Sequence, residues 1–332
     1  IASLLLAFIL NSSCSDQETT IREPGIVKAS TGKSCQSCDM RRGSESFDLK
    51  HKNLSNLDFS NSNFSGLDLS GVDFSGANLR KAKFIGTVLK DAIFSAAELY
   101  EADLSLADLT GARFNDAKMD YAILSRVVAD KASFERTSLN YIEAAEGSFV
   151  GAKFADIKGT QAEFNKADFS GAIISNGILE GMSAIEAKFN KADISASIFT
   201  GANFEQADFD GAQLKSVDMN RIRGREAKFT NLVIELIDFT GAHLDSIDFG
   251  FGKLNQADFS EAELARANFG NSEFLNSSLD NAMASGIILR GAQFDNCNLH
   301  YVDMRGGDLA GARFKDSDLS NGILSGAILN SS

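Results

Sequence analysis

The side chains best suited to redox, nucleophilic or metal chemistry in this sequence are four cysteines and three histidines. Cys35-Gln36-Ser37-Cys38 is a lone CxxC. A zinc site takes about four ligands, yet no second CxxC follows, and His51, His243 and His300 are far apart in the chain. A thioredoxin-like redox role needs a βαβ setting, which the flanking sequence does not supply. The pair is read as a disulfide or paired thiols tightening an N-terminal cap, and export would favour the disulfide. Cys297 stands two residues before Leu299, where Ala or Ser stands elsewhere, and is read as a buried core residue rather than a nucleophile. No Ser/His/Asp or Cys/His arrangement can be assembled, so no catalytic, cofactor-binding or metal residue is assigned and no enzyme activity is expected.

Two further sets are marked by their spacing. Asp218, Asp238 and Asp258 are 20 residues apart, which would stand them as a ladder at ~4.8 Å intervals if one coil takes 20 residues. A ladder of like charges is mildly destabilising. It reads either as an anionic strip imitating nucleic-acid phosphate or as solubility and edge protection. Lys118, Lys158, Lys188 and Lys228 interrupt the acidic columns, which favours the second reading. Tyr121 and Tyr141 are likewise 20 apart, with Tyr100 almost one coil earlier and Ile123 and Val128 close by. Exposed Tyr beside apolar residues is typical of interfaces, while stacked rings also stabilise a sheet without any partner. Arg221, Arg223, Arg225 and Lys228 surround Gly224; they read as an anion site or, in preference, as a charged bulge in solvent.

What must position these residues is a fixed short period. In steps of five from Leu49 to Leu329 every residue is Leu, Phe, Ile or Met, except Ala129, Ala144, Gly159, Ala184, Gly224 and Ala284. Such a period is the signature of a solenoid. Two residues before each large side chain sits a small one, as in Ala77-Asn78-Leu79. Small, polar and large in succession put the first and third on one face of an extended segment and the second on the other. The two remaining positions, as in Ser75-Gly76, suit a corner with φ > 0 at the Gly. At a lag of 20 the core residues sort into columns, with Phe149, Phe169, Phe189, Phe209, Phe229, Phe249 and Phe269 in one and Phe74, Phe94, Phe114, Phe134 and Phe154 in another. Four sides per coil follow from that lag.

Ser75-Gly76-Ala77-Asn78-Leu79 resembles the consensus Ala-(Asp/Asn)-Leu-x-x of the pentapeptide-repeat proteins, and the resemblance runs from about residue 44 to the end. It implies an all-β fold, a right-handed quadrilateral β-helix with the large and small residues both inward, in a single elongated domain. About 14 coils at ~4.8 Å would make it roughly 65 to 70 Å long. One Pro and no Trp suit a β-solenoid that cannot lose ladder donors.

The N-terminus differs. Residues 2–10 are an apolar run too short to span a bilayer as a helix, followed by Asn11-Ser12-Ser13-Cys14. This resembles a bacterial lipoprotein signal, cleaved before Cys14 and acylated there; a non-lipidated signal and a cytoplasmic chain with an apolar N-terminus are the alternatives. Beginning at Ile1 without Met, the chain is expected to lack part of its leader. The domain reading is thus 1–14 signal, 15–43 polar tether and cap with the CxxC, and 44–332 repeat.

With 45 acidic against 32 basic residues the net charge is -13, which argues against direct binding to nucleic acid or to an anionic lipid surface. Two functions are expected on these grounds. The first is a non-catalytic structural or protein-interaction scaffold in the bacterial envelope, held by an N-terminal lipid, with its protein partner unidentified. The alternative is a cytoplasmic acidic DNA mimic, which would resemble the quinolone-resistance members of the family that bind DNA gyrase. A last coil without a cap leaves an open edge, so an end-to-end homodimer is a further expectation.

Overall fold

The computed structural model describes residues 35–40 and 49–330. The prediction for Cys14 and the signal segment lies outside them. The chain divides into two compact units, Ile1–Ser148 and Phe149–Ser332.

Within both units each pentad solves the same hydrogen-bond problem, as the one around Phe74 illustrates. Phe74 N–H donates to Ile93 O at 2.7 Å on the next coil, and Gly76 N–H to Ser95 O at 2.8 Å. Ala77 N–H closes the corner by donating to Phe74 O at 3.0 Å, and Asn78 N–H reaches back one coil to Leu57 O at 2.9 Å. Four of the five backbone donors are therefore paired with backbone. The fifth, Ser75 N–H, is taken by a side chain: Oδ1 of Asp73 accepts it at 2.9 Å. Since an unpaired backbone donor is costly wherever water is restricted, the repeat selects Asp or Asn at the outward position, whose short side chain reaches the N–H two residues on.

Large and small inward positions, such as Phe74 and Ala77, are fully buried. The corner has φ > 0 at every fifth residue from His51 to Gly326, and most of these residues are not glycine. Leu106, Tyr121, Leu236 and Phe251 all adopt it. An L-residue with a side chain pays roughly 1–2 kcal/mol to be there, so the corner is imposed by coil stacking rather than by local preference.

In the first unit the coils are joined by isolated parallel bridges at a lag of 20, such as Asp73↔Ile93 and Ile93↔Arg113. Phe74, Phe94, Phe114 and Phe134 stack with centroid spacings of 5.4, 4.8 and 5.1 Å.

In the second unit the same lag builds a nine-stranded parallel sheet in sequence order. Its strands are β1 (Lys153–Ala155), β2 (Ile173–Ser175), β3 (Asp193–Ser195), β4 (Gln213–Asp218), β5 (Val233–Asp238), β6 (Lys253–Asp258), β7 (Glu273–Leu275), β8 (Gln293–Asp295) and β9 (Arg313–Lys315). Strand pairing is in register at 20 residues, as in Phe274↔Phe294. β4, β5 and β6 are six residues long because pairing continues through their corners, at Ser216, Leu236 and Gln256. The Phe column from Phe149 to Phe269 stacks without a gap, at 4.4 to 5.2 Å between centroids.

Nine strands make eight turns, fewer than the coil number of about fourteen that spacing predicts. That expectation counts every pentad from residue 49, whereas before β1 the lag is carried by bridges and not by strands. Gly224, expected as a charged bulge, is in register: its N–H donates to His243 O at 2.9 Å, and Arg223 pairs with His243. A Cβ at Gly224 would lie 2.9 Å from Leu244 Cδ2. The glycine is thus a packing residue that yields its volume to the leucine one coil on.

Candidate functional site

Three places bring singled-out residues together: the N-terminal cap, a tyrosine ladder in the first unit and a carboxylate ladder in the second.

In the cap, Cys35 and Cys38 are joined by a disulfide, with Cα atoms 5.6 Å apart. Their backbone imitates a pentad. Cys35 N–H donates to Asp58 O at 2.7 Å, as a large inward residue does, and Ser37 N–H to Ser60 O at 2.8 Å from a corner with φ of 59°. Cys38 then takes the small inward position, and both cysteines are buried. Ser62 Oγ donates to Cys35 O at 2.6 Å and accepts from Cys38 N–H at 3.2 Å. The bridge therefore replaces the apolar pair of a coil and covers the first one.

Nearby, Lys50 Nζ lies 2.6 Å from Asp68 Oδ2. The ammonium, with Ser70 Oγ donating to Oδ1 at 2.6 Å, holds the Asp68 carboxyl at a pKa of about 2.

The tyrosine ladder stands on one corner. Tyr121 and Tyr141 occupy the φ > 0 position on successive coils and stack at 5.0 Å, within 7° of parallel. Tyr100 meets Tyr121 edge to face at 5.3 Å, and the Arg80 guanidinium sits 4.6 Å from the centre of the Tyr100 ring. Tyr121 and Tyr141 are 46% and 47% exposed, and Leu106 and Val128 are also exposed in this unit. Burial and the neighbouring phenols raise the Tyr121 hydroxyl pKa above its usual value, so at neutral pH it remains a neutral donor.

The carboxylate ladder lies where β4, β5 and β6 leave their shared corner. Asp218 pairs with Asp238, and Asp238 with Asp258, in parallel register. Each uses Oδ1 to accept the N–H two residues on, from Asn220 at 3.0 Å, Thr240 at 2.8 Å and Ser260 at 2.9 Å. A shallow groove runs beside them, lined by Val217, Leu236, Ile237, Ala257 and the three aspartates among others. The sequence spacing finds the ladder but misses the turn contact and the groove. A Ser, Thr or Asn two residues after each Asp is the signal for the former.

Cys297 is buried, and its thiol pKa is raised by burial. Of the basic set around Gly224, Arg225 pairs with Glu226 at 3.2 Å. The histidines engage separate carboxylates, His243 with Glu263 at 2.8 Å and His300 with Asp280 at 3.5 Å. Among the described residues no three His, Cys, Asp or Glu side chains are grouped to hold a metal ion.

A family model described as pentapeptide repeats matches in eight copies, over residues 45–76, 73–111, 107–140, 187–223, 207–249, 253–291 and 292–330. No curated protein matches. Among solved structures, HetL of the cyanobacterium Nostoc, a pentapeptide repeat protein involved in heterocyst differentiation regulation, is 24% identical. That match covers 85% of this chain and 91% of HetL, with a TM-score of 0.21. QnrB1, a plasmid-mediated fluoroquinolone resistance protein, is 20% identical over 54% of this chain and 89% of its own, with a TM-score of 0.29. A pentapeptide repeat protein of the Arabidopsis thaliana thylakoid lumen is 27% identical over 33% and 66%, with a TM-score of 0.12. Overlays this poor add nothing to the fold, which rests on the repeat and its own geometry. With an unbroken pentad, a 20-residue coil and a family match over more than half of its length, the chain belongs to the pentapeptide-repeat family.

Proposed function

We propose that this protein is a non-catalytic interaction scaffold of the bacterial envelope and that the tyrosine ladder is a face on which a partner protein docks. The observation that carries the reading is the stacked pair Tyr121 and Tyr141 held at a solvent-facing corner, with half-buried Tyr100 edge-on to Tyr121. Aromatic side chains fixed by coil stacking lose little entropy on binding, which is what makes Tyr a frequent hot spot. The Cys35–Cys38 disulfide supports export, because such bonds persist in oxidising compartments, and an acylated Cys14 would supply the anchor.

The DNA-mimic alternative has less support. Its best feature is the run Asp218, Asp238 and Asp258, but the same column continues into Ser278 and Asn298, with Ile198 on its other side. In the column two sides further round the coil Lys188 pairs with Asp168 at 3.9 Å.

Location is tested by fractionating the native host and weighing the mature N-terminus. An acylated Cys14 in the envelope fraction is expected; an uncleaved chain in the cytoplasm would overturn the envelope reading and make a DNA supercoiling assay decisive. Docking is tested by photo-crosslinking from the corner beside Tyr121 in the native host. The partner band should vanish in the Tyr121→Ser/Tyr141→Ser variant, and a band of unchanged intensity would remove this face.

A further inference from the structure

The second unit carries a surface of different character on the column that holds the carboxylate ladder. In register, one residue per coil, it reads Ile178, Ile198, Asp218, Asp238, Asp258 and Ser278. Ile178 is 37% exposed, and on the adjoining corner Leu236 is 55% exposed and forms part of the groove wall. Four coil steps separate Ile178 from Asp258, about 19 Å at β spacing. That is the length of about six residues of extended chain.

Among the described residues of each unit, this is the column in which carboxylates follow each other on successive coils. Several other acids on these surfaces pair with a cation one coil away, as in Glu98–Lys118, Lys166–Glu186 and Lys215–Glu235. Along the ladder no cation intervenes, and no Lys or Arg lines the groove. Each Oδ1 is committed to its own turn, which leaves each Oδ2 outside that hydrogen bond. Of the apolar residues at the groove, Leu236 presents its side chain outward, 55% exposed, while Val217, Ile237 and Ala257 are buried beneath it.

From this apolar groove with an uncompensated anionic rim, we infer that β4–β6 dock a short cationic segment of a partner protein, with its basic side chains on the aspartates and an apolar side chain against Leu236. Charge complementarity selects the occupant: a partner's Lys or Arg relieves the repulsion along the ladder, and an acidic segment adds to it. The apolar wall sets the second requirement, because a polycation without an anchor leaves Leu236 in water. The inference rests on the scaffold reading and supplies the chemistry of one partner surface.

The test uses the full chain and a labelled peptide of two leucines followed by three lysines, with anisotropy as the readout. Saturable binding is expected, weakened about tenfold in Asp218→Asn/Asp238→Asn/Asp258→Asn and measurably in Leu236→Ser. Asn keeps the fold, because Asn268 and Asn298 already accept the same turn hydrogen bond elsewhere in the unit, at 3.0 and 3.1 Å. The control Glu163→Gln/Glu180→Gln/Glu273→Gln removes the same number of charges from exposed positions that do not line the groove and should bind as the parent does. Equal weakening in that control reduces the effect to net charge and overturns the inference. Absence of binding at millimolar peptide, or equal binding of a peptide with glutamates for lysines, also overturns it. Self-association lost in the triple Asn variant would assign the face to a second copy, against the occupant named. These outcomes leave the tyrosine test untouched, so failure here is distinct from failure of the scaffold reading.

Discussion

Thr240 donates its backbone N–H to Oδ1 of Asp238 at 2.8 Å, and the same bond recurs at many outward Asp and Asn residues, Asp73, Asp168 and Asn268 among them. It is the fifth donor's partner in a unit that otherwise pairs backbone with backbone. The outward acid is therefore part of the fold before it is part of any surface. Replacing Asp73 by Ala orphans Ser75 N–H and should cost about 1 kcal/mol, while Asp73→Asn should be close to neutral. Denaturant midpoints of the two variants check this; equal losses would mean that charge, and not the turn contact, selects the residue.

Phe209 and Phe251 are the same residue type at opposite positions. Phe209 lies between Phe189 and Phe229, with ring centroids at 4.5 and 4.4 Å, and is fully buried. Phe209→Ala should cost about 3–5 kcal/mol, and Phe209→Asp, which buries an unpaired charge, should abolish folding of the second unit. Phe251 is 64% exposed at a corner with φ of 61°. Asn tolerates that conformation better, so Phe251→Asn should be neutral or stabilising by roughly 0.5–1 kcal/mol. Unfolding curves that rank the two sites the other way would overturn the pentad register.

The Cys35–Cys38 bridge closes a very short loop, so the chain-entropy model assigns it only about 2 kcal/mol. Its position suggests a local effect, since it covers one end of the first coil. In Cys35→Ser/Cys38→Ser, hydrogen exchange at Ser60, Asn63 and their neighbours should speed up, while exchange in the second unit stays as it was. Uniform acceleration in both units would show that the cap stabilises the chain globally.

How far the sequence can be read depends on what sets each feature. The inward positions are legible because burial leaves little choice at Leu49, Leu54, Phe59 and their successors, and the 20-residue lag is legible because Phe stacks best on Phe. Corner geometry is only half legible. Gly76 signals φ > 0, but nothing in the type of Tyr121 or Leu106 does, since stacking overrides preference there. The tyrosine and aspartate ladders are visible as spacing, whereas the groove beside Leu236 is not. It depends on pairing that runs through the corners of β4, β5 and β6, a tertiary outcome with no local signature.

In the first unit, acid should act on the contact between Lys50 and Asp68. With the Lys50 ammonium 2.6 Å away, the Asp68 carboxyl is held down to about 2, below the usual carboxylate range. A depressed folded-state pKa means that the stabilisation is complete above the unfolded value and is lost as pH falls from about 4 through 2. Both side chains are more than two-fifths exposed, so the pair is worth only ~0.2–1 kcal/mol. Lys50→Met should move the Asp68 titration up toward its ordinary range without reaching it, because Ser70 still donates from its N–H and Oγ. Carboxyl NMR titration of parent and variant measures the shift. An unchanged midpoint would mean that the serine alone holds the proton off.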